Sequence, residues 1–320
     1  MMSKTITLSS PPSTADVYTK AVTAMLPVIG KPARIRADAT IPDRRYRLEN
    51  IRIDPDRLLA YTRATGQQFG PTLPITYPFV LQFPLAMKIM TDGDFPFGAV
   101  GSVHLENTIT RLRPIGIDEP LTIVNHAENL REHRKGMLID MVSEINVGTE
   151  LVTRQVATFL KQQRTSLSDE PRGPAPRDQA PPPPDAVLTV DLAKIREYAA
   201  ASGDRNPIHM GDLTAKAFGF PKAIAHGMWS AAAAVANVEA QLPDAVTYTV
   251  RWGKPILLPA KVNVYTHRVD GAGSAASGPN DSGAGSAASG PNTYGAGSFD
   301  ISILNRRKGY PHLTATTRTI

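Results

Sequence analysis

Apolar and polar positions follow the same plan twice along the chain. A helical segment carrying a tyrosine and closing on a glycine comes first, as YTRATG (Tyr61 to Gly66) and again as YAAASG (Tyr198 to Gly203). A loop leads each time into a stretch with almost no polar face, Tyr77 to Met90 and His226 to Ala240. A helix apolar all round is a buried one. Strand-like runs follow, β-branched and near-alternating. Arg111 to Leu130 answers Arg251 to Val269, and Gly136 to Leu160 answers Gly297 to Ile320. One long buried helix and an antiparallel meander, present twice, predict an α+β fold in which each sheet wraps its helix.

Two low-complexity segments punctuate the plan. PRGPAPRDQAPPPPD (Pro171 to Asp185) excludes helix and sheet, because proline fixes φ and donates no hydrogen bond. It reads as a semi-rigid connector. The expected division is therefore an N-terminal half over 1–168, a connector over 169–186 and a C-terminal half over 187–320. The second segment, GAGSAASGPN from Gly271, recurs from Gly283 and begins again at Gly295. It is expected to be a flexible insert over 271–298, between two strands, with no core of its own.

Composition narrows the class. A chain of 320 residues with 42% hydrophobic and 20% charged residues suits a soluble protein of two folding units, or of one fused unit built from two halves. It contains no cysteine, which excludes disulfides, thiolate metal sites and a cysteine nucleophile. The first residues carry no signal-like apolar segment, so the mature chain is expected to begin there. The longest apolar run, Ala223 to Val238, is interrupted by His226, Ser230 and Asn237 and falls short of the roughly 20 residues a bilayer span needs. A cytoplasmic protein is expected. Net charge is +6, with basic clusters at Arg34/Arg36, Arg44/Arg45/Arg47, Arg131/Arg134/Lys135 and Arg306/Arg307/Lys308. These are solvated faces or contacts for a nucleotide-bearing thioester or an acidic carrier protein. Nucleic acid ranks last, since no aromatic-interleaved motif accompanies them.

The chemistry concentrates in YAAASGDRNPIH, Tyr198 to His209. Asp204 and His209 stand five positions apart after the helix-ending Gly203, with Asn206 and Pro207 between them. Asn-Pro disfavours helix, so both side chains are expected to project from a compact loop. A carboxylate and an imidazole held together can share a water, one taking its proton while the other orients it. Asn206 is placed to order the pair. Gly227, opening the Ala-rich helix, leaves a backbone N–H free for a developing oxyanion. The same Asp-x-Asn-Pro string is also a common turn device. A metal held by Asp204, His209 and His226 is a further reading, although the spacing matches no dedicated metal motif. His104, His126, His133 and His312 show no grouping and read as structural or surface residues, and Tyr198 reads as core.

The string Y-x4-G-D-x-N-P-I-H, with FGFPKAIAHGM (Phe218 to Met228) downstream, resembles the hydratase 2 motif of MaoC-like (R)-specific enoyl-thioester hydratases. The two-half layout resembles double-hotdog members, particularly mycobacterial (R)-3-hydroxyacyl-thioester dehydratases, peroxisomal hydratase 2 and the dehydratase region of fungal-type fatty acid synthases. The resemblance implies two hotdog halves and reversible hydration of trans-2-enoyl thioesters in fatty acid metabolism. It also implies that Asp204 and His209 hold the water that adds to C3, that the Gly227 N–H polarises the thioester carbonyl, and that Asn206 supports the pair. Ser202, His226 and Met228 become substrate-binding positions.

The N-terminal half departs from the pattern. Aligning Gly66 with Gly203 puts Gln67 at the Asp204 position and Thr72 at that of His209, and neither titrates near neutral pH. This half keeps the fold and loses the chemistry. The resemblance implies that such a half admits a long acyl tail, while the composition of Tyr77 to Met90 fits core packing equally. No metal or redox cofactor is expected. The expected substrate is an acyl-CoA or acyl carrier protein thioester, and the expected assembly a monomeric double hotdog or a homodimer. A hotdog acyl thioesterase and a non-catalytic acyl-thioester-binding subunit are the alternatives.

Overall fold

The computed structural model describes residues 4–14, 16–17, 19, 35, 39–97, 101–170, 179–269 and 297–320. Most of the Gly/Ala/Ser insert and the connector residues 171–178 lie outside the described residues, as do Arg34 and Arg36.

One eleven-stranded sheet runs β1-β2-β4-β5-β6-β3-β8-β11-β10-β9-β7. The strands are β1 (Lys4–Leu8), β2 (Arg44–Ile51), β3 (Ser102–Arg111), β4 (Leu121–His133), β5 (Gly136–Val147), β6 (Glu150–Gln162), β7 (Ala186–Val190), β8 (Val246–Trp252), β9 (Ala260–Val269), β10 (Ser298–Asn305) and β11 (Pro311–Thr319). Outward from the β3–β8 junction the order is β3, β6, β5, β4, β2 on one side and β8, β11, β10, β9, β7 on the other. The chain plan is thus repeated about a pseudo-two-fold axis. Thr108 and Thr249 lie opposite each other on that axis, their hydroxyls 3.3 Å apart. Each set of strands curls round a helix, the double-hotdog arrangement.

Each half also carries a helix ahead of its central one. In α1 (Pro55–Thr65) Asp54 caps the Asp56 and Arg57 N–H groups, Pro55 supplies a preset φ, and Gly66 ends the helix at φ 80°. In α3 (Leu192–Ser202) Asp191 caps Lys194 and Gly203 ends the helix at φ 83°. Left-handed backbone at these two ends explains why both helices close on glycine. They pack against each other, with the Tyr61 and Tyr198 rings 5.8 Å apart.

The central helices are α2 (Tyr77–Thr91) and α6 (Gly227–Val235). Every residue of α6 after Gly227 is buried, and its alanines are small enough for the Tyr248 hydroxyl to reach the Ala231 carbonyl at 2.8 Å. The helix stops at Val235, short of the expected Ala240, and Glu239 follows in a 3-10 turn. The cause is tertiary. The Glu239 carboxylate leaves the helical path to accept hydrogen bonds from Gln67 Nε2 (2.8 Å), Ile75 N (3.2 Å) and Gln68 N (3.4 Å) in the other half.

The described end of the connector lies along the C-terminal strands, where Tyr265 donates to Pro182 O at 2.7 Å and Gln179 N to Lys308 O at 3.2 Å. Gly309 faces that strap, and a side chain there would collide with Gln179 O. Parts of the basic clusters are paired within the fold, Arg44 with Asp92 and Asp94 and Arg131 with Asp140. Among the described residues no helix is long and apolar enough to cross a membrane.

Candidate active site

Asp204 follows directly on the glycine that ends α3. Its N–H donates to Ser202 Oγ at 3.2 Å, and its Oδ1 accepts from Asn206 N at 3.2 Å. The expected compact loop is in part a one-turn helix, α4 (Pro207–Met210). Pro207 starts the turn because the first helical position needs no donor, and Asn206 caps it through Oδ1 to Ile208 N at 3.4 Å. His209 rides on that turn. A second short helix, α5 (Asp212–Ala217), leads to the strand-like approach to α6, where Ile224 N bonds to Ile208 O.

His209 Nδ1 lies 2.8 Å from the Ile224 carbonyl, so it carries the proton and donates, leaving the Nε2 lone pair facing the cluster. His226, the N-cap residue of α6, lies against it, the two rings tilted with centroids 3.7 Å apart. His226 Nε2 donates to Asp204 O at 2.9 Å and lies 3.9 Å from Asp204 Oδ2. Its Nδ1 is buried without a partner among the described residues. Tyr198 packs on His226 from beneath, ring centroids 5.0 Å apart. Both histidines are buried, whereas the Asp204 side chain keeps 20% of its surface accessible.

Asp204, His209 and His226 offer ligand atoms within 4.8 Å of one another, the spacing of a possible metal set. Each imidazole gives one N–H to a carbonyl and keeps one bare nitrogen, Nε2 on His209 and Nδ1 on His226. The His226 nitrogen nearest Asp204 is the donor, so on the Asp204 side the trio is arranged to pass and hold protons.

Gly227 is the first residue of α6, where backbone N–H groups have no partner inside the helix and the dipole is positive. The Trp252 indole lies against it. A Cβ on Gly227 would stand 3.1 Å from Trp252 Cε2, and Trp252 Nε1 donates to Gly227 O (3.0 Å) and Ser230 Oγ (3.2 Å). His104, expected to be a structural or surface residue, instead lies tilted against Trp252 with ring centroids 4.4 Å apart and stacks on Phe159 at 4.6 Å. His104 comes from the N-terminal half, feels the charge of Asp204, and has a buried Nε2 without a partner among the described residues. Nothing local marks it. Only the β3–β8 junction brings it here. Trp252 falls within the strand-like run Arg251 to Val269 and, as one of two tryptophans, is the available signal.

Of the positions the resemblance assigns to substrate, Ser202 and Met228 are buried, with Ser202 Oγ occupied by the Asp204 N–H and Met228 in the hydrophobic core. Of the three, Ser202 meets only the backbone of Asp204, while His226 meets both Asp204 and His209. In the other half, Gln67 Oε1 accepts from the Thr76 hydroxyl at 2.6 Å, which also meets Tyr61 OH at 2.8 Å, while Thr72 bridges to Gly116. No acid or base stands at either position.

Burial holds His209 and His104 well below the ordinary imidazole value, each to about 3, with the neighbouring His226 adding to the effect on His209. His226 is lowered for the same main reason. Each is therefore neutral at physiological pH. Folded values below unfolded ones mean that acid favours the unfolded chain. This contribution to stability is complete above about pH 6.5 and drains as pH falls toward 3, by up to about 1.4 kcal/mol per pH unit for each histidine. Melting temperature is expected to decline steadily from pH 6.5 to 4. A flat profile across that window would show that the folded protein tolerates these histidines charged.

The family model described as MaoC like domain matches residues 176–280. The chain is 44% identical to 3-hydroxyacyl-thioester dehydratase X of Mycobacterium tuberculosis over 307 residues, 96% of this chain and 98% of that one. A crystal structure of HtdX from Mycobacterium tuberculosis superposes with a TM-score of 0.70 at 43% identity, covering 87% of this chain and 100% of that one. The MaoC-like dehydratase of Phytophthora capsici shares the fold at 17% identity, with a TM-score of 0.62 and coverage of 90% and 98%.

Proposed function

The chain belongs to the MaoC-like dehydratases, hydro-lyases of 3-hydroxyacyl thioesters, and on that premise we propose that Asp204 and His209 share the water that adds to C3 of a trans-2-enoyl thioester. The observation that carries the proposal is the hydrogen bond between His209 Nδ1 and the Ile224 carbonyl, which selects the tautomer. With Nδ1–H spent on Ile224 O, the neutral Nε2 is free to take a proton from water, beside a carboxylate that can orient it. The thioester carbonyl accepts from the Gly227 N–H at the positive end of α6, which favours the enolate that forms as oxygen adds. In reverse the same groups remove a C2 proton and deliver one to the departing hydroxyl. His226, bonded to Asp204 O, holds the loop against α6, and Asn206 holds the turn that carries His209.

On this reading residues 1–168 form a catalytically degenerate hotdog half, 169–186 a connector and 187–320 the catalytic half. The substrate is an acyl-CoA or acyl carrier protein thioester, the product (R)-3-hydroxyacyl, the place of action the cytoplasm, and the working form a monomeric double hotdog or a homodimer. Incubation with trans-2-enoyl-CoA, after exhaustive chelation, is expected to consume the enoyl absorbance without releasing thiol and to give the (R) product on chiral analysis. Release of thiol would point to hydrolysis instead. An (S) product would break the stereochemical assignment, and activity lost to the chelator and restored by zinc would turn the trio into a metal site.

A further inference from the structure

The loop that carries Asp204 is anchored from outside its own half. Arg57 is the third residue of α1, its backbone fixed by the Asp54 cap, and its side chain crosses to the end of α3. There Nε donates to Ala201 O at 2.7 Å and Nη2 to Ser202 O at 3.0 Å. These carbonyls belong to the last turn, which has no partners within the helix, and α3 supplies no basic residue of its own there. The next residue, Gly203, lies against the guanidinium, since a Cβ on it would stand 3.5 Å from Arg57 Nη2. The residue after that is Asp204. No carboxylate among the described residues forms an ion pair with Arg57, so the fork is spent on these carbonyls.

The pseudo-two-fold axis supplies an internal comparison. Lys194 is the third residue of α3 and stands where Arg57 stands in α1, but it pairs with exposed Glu197 at 2.9 Å and does not cross. The C-terminal end of α1 is held differently, by Trp229 Nε1 on Ala64 O at 2.8 Å. The charged fork is present only where an acid–base pair follows it.

We propose that Arg57, in the half without acid–base chemistry, is a positioning residue that fixes the end of α3 and through it the place of Asp204 at the reacting centre. This rests on the hydro-lyase reading above. It gives the degenerate half a part in catalysis that does not depend on what that half binds. The reach is short: two carbonyls, one glycine, then the carboxylate. A displacement of about 1 Å at a reacting group costs up to about 10²-fold in rate.

The test compares Arg57→Ala, Arg57→Lys and Arg113→Ala in the full chain, by steady-state hydration of trans-2-enoyl-CoA and by melting temperature. Arg113 bonds Glu119 and Glu150 in the N-terminal half and serves as a stability control. Arg57→Ala is expected to lower kcat by about 10- to 100-fold with KM within about twofold. Arg57→Lys should fall between, because an ammonium cannot span two carbonyls as a planar fork does. Added guanidinium should raise kcat of Arg57→Ala several-fold while leaving Arg113→Ala unchanged. Wild-type kcat in Arg57→Ala overturns the proposal, as does a loss that neither lysine nor guanidinium relieves. If the alanine variant fails to fold, a folded Arg57→Lys with wild-type kcat overturns it alone. An unaltered chain that hydrates nothing would instead remove the hydro-lyase reading, and this proposal with it.

Discussion

Replacing Asp204 by Asn is expected to lower the hydration rate by about 10²- to 10⁴-fold, and His209→Ala to do the same, with the fold intact in both. The two losses arise differently. Asn keeps the shape of Asp204 and can still accept from Asn206 N, so the loop survives while the carboxylate charge beside the water is gone. Alanine at position 209 removes the only imidazole of the trio whose bare nitrogen faces the cluster, since His226 presents a donor there. It also releases Ile224 O, a cost to stability of about 1 kcal/mol set against a near-total loss of rate. The measurement is kcat on an enoyl thioester alongside a melting curve. Near-wild-type turnover in either folded variant removes that residue from the mechanism. The paired change Gln67→Ala with Thr72→Ala provides the control, because the matching positions of the N-terminal half hold no acid or base.

The parts of this site legible in the sequence are those written in contiguous residues. Gly66 and Gly203 announce helix ends because only left-handed backbone closes those turns, and both stand at φ near 80°. The Asp204-to-His209 string places a carboxylate just after one helix end and an imidazole on the short turn that follows it. The buried run ahead of Ala240 announces a central helix, although its end depends on Glu239 answering donors more than 160 positions earlier in the chain. Periodicity found the strands near Leu121 and Gly136 but carries no information on their order. That order is what sets His104 beside Trp252, and the packing of α1 on α3 is what delivers Arg57 to α3. Both are single polar residues in ordinary elements. Their partners lie over 140 positions away, beyond any local pattern.

Glu239 is the residue whose loss should most damage the fold while sparing the chemistry. Its carboxylate accepts from Gln67 Nε2, Ile75 N and Gln68 N, and Gln67 in turn accepts from Thr76, which meets the buried Tyr61 hydroxyl. The N-terminal counterpart of the candidate site is thus crossed by a hydrogen-bonded chain drawn from both halves. Burial raises the Glu239 carboxyl above its ordinary value, and the donors and Arg111 pull it back. Glu239→Leu leaves an amide and two backbone N–H groups facing an apolar side chain, each costing about 1–3 kcal/mol if no water replaces the lost acceptor. Partial solvent access at this surface turn trims the sum, so a loss of about 2–4 kcal/mol is expected, large against a total stability of about 5–15 kcal/mol. Glu239→Gln keeps one acceptor oxygen and should lose about half as much. Urea unfolding reads the difference as a lower midpoint, while kcat on an enoyl thioester stays within about threefold, since Asp204, His209 and Gly227 keep their partners. An unchanged midpoint in Glu239→Leu would show that these hydrogen bonds contribute nothing to the union of the two halves. A collapse of kcat with the midpoint preserved would mean that the N-terminal counterpart takes part in the reaction.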